Sequence, residues 1–329
     1  MPLALRPVFT ARLHPRPPFN FEATVHKPSW FPAPVEDYQP LSPAGGPARF
    51  WQTLLWEGQP LGVRLMEAGS ADDPAIELTV FGQSPLAGET SAALVNEVRW
   101  RFDLDADLTE FERLCGADPL LAPVLERRRG MRIKTGGSLY EMLVIYVVLQ
   151  NATVRRSVQM MTALLERYGT PLTFDGRRLY SFWPPEALAA ASEEELRDLK
   201  VGYRARMLKR LSEACAAGDV DEVRLRGLSN EEARRELLKV YGIGPASVWY
   251  LLFEVLHRYD ALDHVSPWEQ RIYSRLFFGE ELAPADRIID EAKRRWGPWC
   301  MLAAHYLFED LFWQRQHQPV PWLEELIRL

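Results

Sequence analysis

The sequence predicts an α+β fold in two parts: a small N-terminal antiparallel β domain over residues 1–99, then a mainly α-helical domain over residues 100–329. Three observations predict it. β-Branched and aromatic runs separated by turn residues crowd into the first third of the chain, and helix-start signals recur from Leu104 onward. Apolar residues at helical spacing also flank a two-glycine turn at Tyr241-Gly242-Ile243-Gly244.

Residues 1 to about 49 scatter Phe19, Phe21, Trp30, Phe31 and Tyr38 among prolines, which favours short strands and loops over helix. Phe50–Trp56, Leu61–Met66 and Ile76–Phe81 are β-rich, separated by Glu57-Gly58 and by Gly69–Pro74, and predict a small antiparallel sheet. The expected role of this part is stabilisation, without a ligand of its own.

The helical part is punctuated by Ser followed three residues later by Glu: Ser138 with Glu141, Ser192 with Glu195, and Ser229 with Glu232. In that arrangement each side chain bonds the other residue's backbone N–H and fixes a helix start. Helix 139–149 ends at Gln150-Asn151-Ala152-Thr153, and a new helix is expected to begin near Thr153. This puts Asn151 at the tip between two helices, or gives it or Thr153 the plainer task of capping the second.

Residues of about 231–258 read as helix, tight turn, helix. Two glycines bracketing one apolar residue make a turn too short for ordinary loops, and Pro245 suits the first position of the second helix. Such a turn leaves backbone N–H groups free at a helix N-terminus, where they and the helix dipole hold a phosphate without reading bases.

Composition sets limits. With 329 residues, 47% hydrophobic and 26% charged, the chain is an ordinary globular sequence, and its net charge of −6 argues against indiscriminate nucleic-acid binding, which needs a broad basic face. Any nucleic-acid site must be local. Cys115, Cys215 and Cys300 are too dispersed for a metal cluster or a disulfide framework. The apolar run near Met142–Leu149 falls far short of the roughly 18 residues of a membrane span, and a cytoplasmic protein is expected.

Val240 to Val248 resembles the helix-hairpin-helix signature of the HhH-GPD superfamily of DNA glycosylases, and the resemblance extends over about residues 90–315. It includes Trp100–Asp105, Arg129–Arg132, Gly202-Tyr203-Arg204-Ala205, Trp296-Gly297-Pro298-Trp299 and Ala304-His305-Tyr306. Segment 264–276 is similar to the alkylpurine-glycosylase pattern that carries the catalytic Asp. The matching position is Glu269, 25 residues after Gly244, so the acid is one methylene longer.

The resemblance implies a helical glycosylase domain that flips a damaged base out of double-stranded DNA and hydrolyses its N-glycosidic bond. It gives Glu269 the task of stabilising positive charge on the sugar. Asn151, with Gln150, would be the wedge that fills the gap in the helix. Gly242, Ile243, Gly244, Ala246 and Ser247 would hold the phosphate backbone. Tyr250 would line the base pocket, with Trp249, Trp268 and Tyr140 adding stacking surface; taken singly, each of the four is more readily a core residue, and only Tyr250 has a family match. Members that also nick the strand place a Lys two residues after the second hairpin glycine; Ala246 there implies a monofunctional hydrolase.

The expected substrate is an alkylated purine, while Gly202–Ala205 resembles 8-oxoguanine glycosylases and offers oxidised purines as an alternative. Ser266 and Glu269 also form a capping signal. With Glu in place of the catalytic Asp, a non-catalytic binder of damaged or distorted DNA is the other alternative, and a hairpin that only scaffolds protein partners is a third. Asp260 and Asp263 are reserve carboxylates. No iron–sulfur cluster, other metal or organic cofactor is expected, and a monovalent cation at the hairpin is the one ion the resemblance admits. The implied state is a monomer acting at the nucleoid. Arg127–Arg129, Arg132 and Lys134, and Arg204, Arg206, Lys209 and Arg210, are basic clusters equally suited to DNA contact and to a solvated face.

Overall fold

The computed structural model describes residues 1–42 and 45–327. Its strands are β1 (Leu3–Ala4), β2 (Arg6–Leu13), β3 (Glu36–Gln39), β4 (Arg49–Trp56), β5 (Gln59–Glu67), β6 (Ile76–Gly82), β7 (Thr170–Phe174) and β8 (Arg177–Ser181). β2 to β6 form one antiparallel sheet in the order β2-β6-β5-β4-β3. The three strands expected between residues 50 and 81 are its centre. Glu57 and Gly58, both at positive φ (48° and 75°), close the β4–β5 hairpin, with Trp56 paired to Gln59. The Pro-rich start contributes the long strand β2 and a short helix, Phe21–Val25.

Helix Gly88–Arg101 packs on this sheet, and their common core runs from Leu13 and Phe50 through Leu94 and Val98 to Leu104. The N-terminal core therefore extends past residue 99. A second difference from the sequence expectation lies inside the helical half, where β7 and β8 form a hairpin and β1 joins β7 in parallel. Asp175 and Gly176 at the tip, both at positive φ, are the Asp-Gly turn signal that marks it in the sequence. The two sheets meet closely at Gly62, where a Cβ would lie 2.6 Å from the Phe174 ring.

The helical half is organised around Leu139–Leu149, a helix apolar almost all round and buried at eight of its residues, as a central helix must be. Capping boxes close the starts of this helix and of Glu193–Asp198, Asn230–Leu237 and Pro267–Phe278. Their carboxylates satisfy backbone donors that would otherwise be orphaned. Among the described residues no helix is long and apolar enough to cross a membrane.

Candidate active site and nucleic-acid interface

The hairpin consists of helix Asn230–Leu237, the turn through Gly244, and helix Pro245–Glu254. Gly242 sits at φ 89° with Met207 side-chain atoms 2.9 Å from where a Cβ would stand, so the turn requires glycine there. Ile243 departs from its expected role. Its N–H bonds the Val240 carbonyl at 3.1 Å and its side chain is buried, so it anchors the turn and offers no donor outward. The N–H groups of Gly242, Gly244, Ala246 and Ser247 meet no protein acceptor among the described residues, as a phosphate cradle needs.

Beside the turn, Thr153 caps helix Val154–Tyr168, which leaves Asn151 exposed at the tip with φ 48°. Asn is one of the few side chains that tolerate that geometry. The tip is well braced. Arg204, itself buried, bonds the Gln150 carbonyl and, at 3.2 Å, that of Val147. The Tyr203 hydroxyl receives Asn151 Nδ2 at 3.4 Å. Gln150 is also corrected in role: its Nε2 donates to the Gly242 carbonyl at 2.6 Å, tying tip to hairpin, and is engaged where a wedge would need it free.

Between tip and hairpin opens a cavity of about 840 Å³, within the range of about 300–1,000 Å³ usual for small-ligand sites. Gln150, Asn151, Gly242–Ser247, Tyr250, Trp268 and Glu269 all line it. Two other expected pocket residues lie elsewhere. Trp249 faces the opposite side of its helix, under the Arg234 guanidinium and beside Asp260 and Asp263. Tyr140 packs in the core, its hydroxyl bonded to Ser212 at 2.9 Å and to the Trp183 indole at 3.1 Å. On a helix, residues 249 and 250 point about 100° apart and residues 140 and 146 about 120° apart, and the packing here turns only Tyr250 and Tyr146 inward. The reserve acids are committed as well: Asp263 pairs with Lys293, and Asp260 accepts from Asn230.

Sequence reasoning missed several walls of this cavity. Ser29, Trp30 and Phe31 enter from the N-terminal part, Tyr146 from the central helix, and Phe308 from helix Cys300–His317. The segment at 29–31 thus brings the N-terminal part, expected only to stabilise, to the wall of the cavity. Glu254, also missed, does carry a sequence signal: an acid in an apolar run, one helical turn after Tyr250 and so on the same face.

Glu269 holds two positions at once. Its Oε2 receives the Ser266 N–H at 3.1 Å and the Ser266 hydroxyl at 2.8 Å, completing the capping box, and also the Tyr250 hydroxyl. Oε1 meets no protein donor among the described residues. Burial and the Glu269 charge hold the Tyr250 phenol far above its ordinary pKa, so it remains a donor. Burial pushes the Glu254 carboxyl up to about 7, with the Tyr146 hydroxyl bonded to it. The residues lining the cavity include two acids and no Lys, Arg or His.

The basic clusters divide. Arg127 and Arg128 pair with Asp310, Arg129 with Asp72, buried Lys134 with Glu36, and Arg132 donates to the Arg16 and Pro18 carbonyls. Those charges hold the fold. Lys209 is spent on the Ala189 and Ala191 carbonyls, but Arg206 and Arg210 are exposed and flank the Tyr241 ring beside the hairpin. That is the local positive surface an acidic chain needs to meet a polyanion. Among the described residues no group of His, Cys, Asp and Glu is placed to hold a metal.

Comparison with known proteins agrees with this architecture. Residues 144–298 match the family described as HhH-GPD superfamily base excision DNA repair protein. Over 223 residues the chain is 26% identical to the DNA-3-methyladenine glycosylase of Bacillus subtilis, covering 67% of this chain and 72% of that protein. The structure of 3-methyladenine DNA-glycosylase from Archaeoglobus fulgidus matches with a TM-score of 0.73 at 17% identity, covering 92% of this chain and 99% of that one. The apo-form of Clostridium acetobutylicum 8-oxoguanine glycosylase/lyase matches with a TM-score of 0.67 at 17% identity, covering 94% and 99%. At such identities the structural likeness speaks for the fold.

Proposed function

Because residues 144–298 carry the domain of the HhH-GPD superfamily of base excision DNA repair proteins, we propose that the chain is a monofunctional DNA N-glycosylase. It flips an alkylated purine out of double-stranded DNA and hydrolyses the bond between base and sugar. The observation that carries this reading is that Glu269 opens into the same cavity as the hairpin turn and the Asn151 tip.

Free amides of the hairpin hold a phosphate, with Arg206 and Arg210 beside them, while Asn151 takes the space of the extruded nucleotide. The base enters between aromatic walls that include Trp30, Tyr146 and Tyr250. As the C1′–N bond lengthens, positive charge grows on the sugar; the Glu269 carboxylate stabilises it, and the free Oε1 orients the attacking water. A ring made cationic by alkylation suits a pocket of aromatic faces that contains the Glu269 carboxylate and no competing basic group. Ala246, at the position where lyase-active relatives place a Lys, supports hydrolysis without a Schiff base.

The test is release of alkylated base from a defined duplex, scored as alkali-labile abasic sites, with wild type and Glu269→Gln compared. Loss of release in the variant with DNA binding intact supports the reading. Tight binding of damaged DNA without release by wild type replaces it with the second reading, a non-catalytic binder, which the double use of Glu269 as a helix cap favours.

A further inference from the structure

The cavity holds a second acid that the hydrolysis above does not use. Glu254 lies one turn after Tyr250 on the hairpin's second helix, with its carboxyl lining the base cavity and a small chamber of about 70 Å³ behind it. The groups around it come from five elements. Tyr146 on the central helix bonds the carboxyl directly, and Glu269 faces it from helix Pro267–Phe278. Glu309 and His305 stand behind it on helix Cys300–His317, with Lys27 on the N-terminal loop and Lys134 on the segment before Leu139. Neither lysine bonds it: Lys27 donates to the Arg132 carbonyl at 2.9 Å and Lys134 pairs with Glu36 at 2.7 Å, so Lys134 offsets the effect of burial only through space. Glu309 Oε2 and His305 Nε2 are buried without partners among the described residues. The chamber thus presents polar atoms for which no described residue supplies a partner.

Glu254 and Glu269 occupy unlike surroundings. Glu269 receives three donor contacts, whereas Glu254 has one tyrosine hydroxyl, with two further acids close by. A carboxyl held by several donors suits the stabilising of positive charge, and one with a single donor that faces other acids suits the giving of a proton. Burial supports the second role by keeping the Glu254 carboxyl protonated up to about pH 7.

We propose that Glu254 is the general acid that protonates the departing base, extending the reaction from cationic to neutral purine lesions. This inference rests on the glycosylase reading above. The bonding electrons of C1′–N leave with the base, and a ring nitrogen takes the proton from Glu254. C1′ gains an oxygen from water, whose proton passes to Glu269; solvent entering the emptied cavity then restores both acids to their starting states. A cationic alkylpurine leaves as a neutral molecule and needs no such proton, but a neutral purine would otherwise leave as an anion.

Single-turnover release is measured for two duplexes, one carrying 7-methylguanine, which is cationic, and one carrying hypoxanthine, which is neutral. Glu254→Gln is expected to slow hypoxanthine release at least tenfold more than 7-methylguanine release. A thermal melt establishes that the variant is folded. Independently of any variant, the wild-type rate on hypoxanthine should fall as pH rises through about 7, because only the protonated acid donates. Equal slowing on both duplexes, no slowing, a flat hypoxanthine profile, or release of 7-methylguanine alone overturns the acid assignment and leaves the glycosylase reading standing. Release of neither base by wild type overturns that reading, and the assignment with it.

Discussion

The Tyr250 hydroxyl and the Ser266 backbone N–H converge on one oxygen, Oε2 of Glu269. One carboxylate therefore fastens a helix start and faces the cavity, and the two tasks separate by substitution. Gln retains the capping-box geometry, so Glu269→Gln should keep the wild-type Tm while base release drops about 100-fold, the scale expected for loss of a charge-stabilising group. Glu269→Ala should lose the activity and also about 1 kcal/mol of stability, the usual effect of losing a cap. Thermal melts beside single-turnover assays check both.

Tyr250→Phe keeps the ring face and removes only the donor to Glu269. The carboxylate then loses part of its orientation, and a misplacement of about 1 Å is costly in catalysis. Base release should slow about tenfold with DNA affinity unchanged. An equal loss of affinity would assign Tyr250 to binding.

The two hairpin glycines should respond differently to alanine. Gly242→Ala meets Met207 and a positive φ, and should destabilise by about 1–3 kcal/mol. At Gly244 a Cβ has open space and φ is −104°, so Gly244→Ala should melt like wild type. It should still bind a plain duplex more weakly, since the methyl group stands where a phosphate would approach. Denaturant melts and fluorescence anisotropy at two salt concentrations resolve the pair.

Asn151→Gly preserves the left-handed backbone at the tip and deletes the side chain. Reduced extrusion is expected, seen as a smaller fluorescence rise from 2-aminopurine beside the lesion, with the fold intact. A full-sized signal would move the wedge role to another residue.

Ala246→Lys places an amine at the cavity wall. If the deoxyribose sits where Glu269 can reach it, this variant should become trappable on DNA by borohydride while wild type does not. Absence of a trapped adduct in a folded variant would mean that the sugar binds elsewhere.

What the sequence made legible follows the range of the forces involved. Capping boxes, the Glu57-Gly58 turn and the Gly242–Gly244 bend are local devices, and each lies where its residues indicate. The Asp175-Gly176 turn is an equally local device, set in a stretch whose other signals are helical. The cavity walls were another matter. Trp249 and Tyr250 are neighbours whose pocket roles differ only because a helix turns about 100° per residue, and which of them faces inward depends on the packing of other helices. Ser29 and Trp30 reach the cavity because a loop of the N-terminal part folds over the helical half, and no periodicity near residue 30 encodes that.

The parallel pairing of β1 with β7 ties the chain's first residues to a hairpin near its middle. A protease nick in the exposed turn at Ser70–Asp73 would therefore not release the leading segment: the fragments should co-elute in native buffer and part only in denaturant. Recombinant swaps that exchange the front third between relatives would carry half of this seam away, and would have to bring a matching hairpin with them.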